Sequence, residues 1–279
     1  MAELTPDILT DAYMRQNASI RARVLAYVRA VWDGSPSLRD EDVKEIIRLI
    51  LPTVQAGQLQ AATLAAAFVQ RLALMEGLEA PALAVDRDAV IGYRGVPADE
   101  VYRRPAVTAY SALAAGEPYS RARDMGRNRL LSMVATDLQQ SRNRQSQSAY
   151  GASGFEYTIR VLSGSENCAL CVIAATQRYH AGGLQPIHPG CDCGERGVNA
   201  SADPGQVIDR EMVEDIHSSI WEQLDRFDRS GVDLGRGKTD AKGRRISDFT
   251  DLIVTREHGE LGPTLTWRQD RFTGPDDLT

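Results

Sequence analysis

The residues of this chain best suited to chemistry are crowded into one stretch. All four cysteines (Cys168, Cys171, Cys191, Cys193) and two of the four histidines (His180, His188) fall between residues 168 and 193. Cys168 and Cys171 form C-x2-C, His188 and Cys191 form H-x2-C, and Cys193 completes a C-x-C. Thiolate and imidazole are the donors that structural zinc takes in tetrahedral sites. Two intervening residues let a tight turn aim both side chains at one ion. Glycine and proline in "HPGCDCG" suit such a turn.

Five donors compete for four places. One set is Cys168, Cys171, His188 and Cys191; the other uses all four cysteines, Cys193 taking the place of His188. His180 is expected at the surface or beside the ligands without binding the ion, at the end of a helix after Cys171. Buried thiols acting as small apolar groups are the plain alternative, but packing alone gives no reason to cluster every cysteine. A thioredoxin-like role lacks its βαβ setting. A catalytic zinc needs an open coordination position, which four or five donors argue against.

The elements around this module read from periodicity. Ile20, Val24, Tyr27, Val28 and Val31 mark a helix that Asp33-Gly34-Ser35-Pro36 ends. A second begins near Asp40 with acids in its first turn, carries Val43, Ile46, Ile47 and Ile50, and is expected to stop at Pro52. An alanine-rich third covers about Leu59 to Met75. A fourth starts near Asp99, is expected to break at Pro105, and ends near Gly116. A long fifth covers about Ser120 to Gln147 and has no wide apolar face.

That fifth helix carries Arg121, Arg123, Arg127, Arg129, Arg142 and Arg144. DNA phosphates are one candidate partner for them. A solvated face or a surface for an acidic protein is the preferred reading, because interleaved aromatics are few.

From Phe155 the period changes to two. Phe155, Tyr157, Ile159 and Val161 alternate with polar residues, as in a strand. The expected class is therefore mainly α with a small α+β module. Residues 1–116 form a helical region and 117–200 the long helix with the cysteine module. A helix over 201–230, a flexible linker over 231–245 and a hairpin tail over 246–279 complete the chain.

Composition narrows the function. A net charge of −6 argues against coating nucleic acid by bulk charge. Aromatics at 6% argue against one large dense core. No apolar run approaches the ~20 residues that span a bilayer, and no secretory leader is visible, so a reducing cytoplasm is expected. That favours metal over disulfide.

The run "RVLSGSENCALCVIAATQRYHAGGLQPIHPGCDCG" resembles the core of phage Mu protein F-like (MuF-like) minor head proteins of tailed bacteriophages. A strand leads to Cys168-x2-Cys171; Gly182-Gly183 and the His188-to-Cys193 element follow. The tail, "DLIVTREHGELGPTLTWRQDRFTGP", is similar to tails of such proteins in phages of actinobacteria. The resemblance covers about residues 120 to 200. It implies a virion protein inside the head near the portal, made in the host cytoplasm and acting in head assembly and in packaging or ejection of DNA. The implied partners are the portal protein, the major capsid or scaffold protein, and packaged DNA; no membrane is involved. Structural Zn2+ is the expected cofactor.

No enzyme is expected. A capsid maturation protease is the first alternative, with His180, His217 and His258 available as bases but none in a recognisable motif. A DNA-binding accessory protein, or a nuclease built on the zinc knuckle, is the other.

Overall fold

A computed structural model describes residues 4–162, 175, 178–183, 193–199, 253–258 and 262–267, the last two segments as backbone only. The architecture is mainly α with a small antiparallel sheet, as expected. By internal contacts the chain divides between Phe155 and Glu156 into a helical unit and a second unit that holds the strands. The expected 201–230 helix and 231–245 linker lie outside the described residues.

The helical unit contains five helices: α1 (Pro6–Gly34), α2 (Asp40–Met75), α3 (Arg87–Ile91), α4 (Ala98–Ala114) and α5 (Tyr119–Gly151). Thr5 caps α1, its hydroxyl accepting from the Ile8 amide, with Pro6 in the first turn where no amide partner is needed. Ile20, Val24, Val28 and Trp32 then fall on its buried side. They meet Ile46, Ile47, Ile50 and Val54 of α2 and Leu130, Val134 and Leu138 of α5 in one apolar cluster. Tyr13 stacks on Phe68 at 4.1 Å, and Val24 lies against Gly57, so α1 and α2 run antiparallel. This cluster is built mainly of aliphatic residues, most of them β-branched, around a single tryptophan.

Two helix boundaries differ from expectation. α2 runs unbroken through Pro52, joining the expected second and third helices, and α4 runs through Pro105. An internal proline costs about 3 kcal/mol. Ile50 and Val54, both fully buried beside Pro52, offset that by packing that local sequence does not reveal.

α5 also corrects an expectation. Its second half is not a solvated face: from Met133 to Arg142 every residue is buried, whereas Arg121, Asp124 and Asn128 of the first half are exposed. It runs beside α2 in the same direction, Leu138 near Gly57 and Gly154 against Leu78. Although grouped with the cysteine module by sequence, it packs on α1, α2, α3 and α4. Gly126 permits this, because a Cβ there would lie 2.8 Å from both the Pro105 carbonyl oxygen and the Trp32 ring.

In the second unit, β1 (Tyr157–Val161) is the centre of a three-stranded antiparallel sheet, with β2 (Arg178–His180) on one side and β3 (Gly194–Val198) on the other. Thr158, Ile159 and Arg160 are all buried, so β1 is covered on both faces rather than one. Arg160 and Glu195 face each other in the ladder, an opposite-charge cross-strand pair. The tail forms the expected hairpin, β4 (Ile253–His258) and β5 (Gly262–Trp267).

Candidate functional site

The sheet explains how the cysteine stretch is organised. β1 pairs with β2 in the register Ile159↔Arg178 and with β3 in the register Val161↔Gly194. The chain leaves β1 at Val161, and Cys193 directly precedes the residue opposite. The connection bearing Cys168 and Cys171 therefore starts, and returns into β2, at the end of the sheet where Cys193 enters β3. Cys193 is buried. Cys168, Cys171, His188 and Cys191 lie outside the described residues.

His180 is not at a helix end. It closes β2, is exposed, and has its ring 5.6 Å from that of Tyr157. The chain turns just beyond it, with Gly182 at φ 78° and the Gly183 amide donating to the His180 carbonyl at 2.7 Å. A side chain at Gly182 would be strained in that left-handed conformation.

The six candidate arginines of α5 are mostly engaged within the chain. Arg123 donates to the carbonyls of Trp32, Asp33 and Ser35 at 2.7, 3.1 and 2.6 Å, closing the C-terminus of α1 where the helix presents partial negative charge. Arg127 pairs with Asp33 and Asp124, and Arg121 with Glu117. Arg142 is buried, Arg129 half-buried, and the Arg144 guanidinium lies 5.1 Å from the centre of the Tyr93 ring. They do not form one exposed basic strip.

A second constellation went unread in the sequence. Asp137 of α5 and Arg94 are both buried, their side chains 6% and 8% exposed. One Asp137 oxygen accepts from the Tyr93 hydroxyl at 2.6 Å and from Arg94 Nε and Nη2 at 2.9 and 2.6 Å. The other accepts from the Tyr102 hydroxyl of α4. One turn on, the Ser141 hydroxyl donates to the Val90 carbonyl at 2.9 Å, and Gln58 of α2 donates to Ser141 at 3.0 Å. Burial, then the Asp137 charge, pushes the Tyr102 hydroxyl well above its ordinary pKa of 10.0.

This arrangement fastens rather than reacts. Four donors occupy Asp137, which leaves it little capacity to take a proton from a substrate. They tie the Gly92–Pro97 connection and α4 to α5, and Ser141 ties α3 through the Val90 carbonyl. The signal available in the sequence was that Asp137 is the single acid between Met125 and Gly151, among several arginines.

Among the described residues, no helix is long and apolar enough to cross a membrane. No family model, curated protein or solved structure matches the chain.

Proposed function

We propose that this chain is a minor head protein of a tailed bacteriophage, placed inside the head at the portal, where it supports head assembly and the packaging or ejection of DNA. Its role is structural, with the portal protein and the major capsid or scaffold protein as partners. The observation that supports this reading is the ordered set strand, C-x2-C, strand, Gly-Gly turn, His-Pro-Gly-Cys-Asp-Cys, strand. Both cysteine-bearing connections spring from one three-stranded sheet.

The donor chemistry fits zinc. Four of Cys168, Cys171, His188, Cys191 and Cys193 would hold one ion in a closed site, and the buried Cys193 thiol stands at the sheet end from which the first pair departs. The ion would staple the connections of a sheet too small to make a large core of its own. Elemental analysis of the purified protein is expected to find about one zinc per chain, lost in Cys168→Ser. A folded, metal-free protein refutes the staple.

Assembly tests the function. Co-expressed with the portal, scaffold and major capsid proteins, the chain is expected to co-purify with the portal and to enter assembled heads. Exclusion from both overturns the reading.

A further inference from the structure

The charge of the helical unit is unevenly placed. The chain as a whole carries −6, yet residues 12–32 of α1 hold four arginines and no acid, and residues 46–75 of α2 hold two arginines and no acid. Arg48 is paired with Glu45. Arg15, Arg23, Arg29 and Arg71 are exposed, and no carboxylate of the described residues pairs with them.

Between these two helices lies an open groove of about 520 Å³. Its walls include Gln16 and Arg23 of α1 and Gln60 and Thr63 of α2, and Ile20 and Leu64 lie between them. Arg23 is the one charged residue of the lining. Ile20 is buried and Leu64 half-buried, whereas the four wall residues are exposed. A polar rim over an apolar floor, between antiparallel helices, is the form of seat that a third helix fills.

We propose that the α1–α2 groove binds an acidic amphipathic helix of a partner protein. Apolar side chains of that helix cover Leu64, above the buried Ile20, and its carboxylates meet Arg23, Arg15 and Arg71. Arg15 adjoins the groove residue Gln16 and is eight residues from Arg23 on α1, a span of about 12 Å at 1.5 Å per residue, so a helix of about three turns reaches both; Arg71 follows Leu64 and Ala67 at helical spacing on the same side of α2. A nucleic acid would use the arginines, but it has no aliphatic side chains for the apolar floor; hence the choice of a protein helix. The inference rests on the charge and shape of this face and is independent of the head-protein reading.

The test uses the full-length protein and three fluorescent probes. The first is a helical peptide of about three heptads with Leu at a and d and Glu at e and g; the second has Lys in place of Glu; the third is a short DNA duplex. The Glu peptide is expected to bind at least about tenfold more tightly than the Lys peptide, with an affinity that falls as salt rises. Arg23→Glu and, separately, Gln60→Glu each weaken it about tenfold, and the double variant prefers the Lys peptide. Both positions are exposed, so thermal melts of the variants are expected to match the parent. Absence of Glu-peptide binding at about 100 µM overturns the proposal. So does equal affinity for both peptides, or tighter binding of the duplex that Arg23→Glu abolishes.

Discussion

Two adjoining stripes of α5 hold the helical unit by opposite means. Gly126, Leu130, Val134 and Leu138 recur every four residues and meet the aliphatic side chains and Trp32 of α1 and α2. Asp137, Ser141 and Arg144 lie on a neighbouring stripe and meet Tyr93, Arg94, Tyr102, Gln58 and the Val90 carbonyl. The apolar stripe gains from area removed from water, which is non-directional and tolerates repacking. The polar stripe gains only where every donor finds its acceptor, so it admits one placement of α3 and the connection after it. The first supplies stability; the second selects where the connecting segment lies.

The sharpest way to break this contrast is Asp137→Ala. It strands a buried guanidinium and two hydroxyls, and is expected to cost about 3–5 kcal/mol in chemical denaturation. An equal or smaller loss than for truncation of one aliphatic contact would remove the distinction. Tyr102→Phe follows, with an expected loss of about 1.5–3 kcal/mol for one hydrogen bond to a charged group.

The same tyrosine sets a pH signature. Its folded pKa lies above its unfolded value, so above pH 10 the unfolded chain releases this proton first, and stability falls as pH rises. Below pH 10 the contribution is fully present. The alkaline decline is expected to be shallower in Tyr102→Phe, read from denaturation midpoints across that range.

On the apolar stripe, Gly126→Ala is expected to cost about 1–3 kcal/mol, because the new methyl meets a backbone carbonyl and a rigid ring. Gly57→Ala meets the side chains of Val24 and Leu138, which can shift, and is expected to cost less. The reverse order would show that the α4–α5 approach is the softer of the two. At the small end stands Glu45→Gln. Its hydrogen bond with Arg48 holds the carboxyl below its ordinary pKa, but both groups are fully exposed, and the melting temperature is expected to stay unchanged.

The aliphatic partners of the apolar stripe are legible in the amino-acid sequence. Val43, Ile46, Ile47 and Ile50 repeat at helical spacing, and all four are buried. The polar stripe is not legible there. A run such as "DLQQSRNRQ" has no apolar side, and the same letters serve a solvated helix or a buried one. Partners for Asp137 lie 35 to 44 residues away, beyond the reach of any local pattern.

Sequence alone therefore determined what is local in this protein: the helical stretch from Ile20 to Val31, the helix starts near Asp40 and Asp99, the strand at Tyr157, the paired strands of the tail, and the crowding of every cysteine into residues 168–193. Periodicity, caps and turn residues act over a few positions, and neighbours along the chain suffice to read them. Tertiary structure decided the rest. It carried α2 through Pro52 and α4 through Pro105, buried the second half of a polar helix, occupied arginines that looked available, and left Arg23 exposed along a groove. Each of these outcomes sets a local cost against contacts distant in sequence, and only the folded chain brings both sides of that balance together.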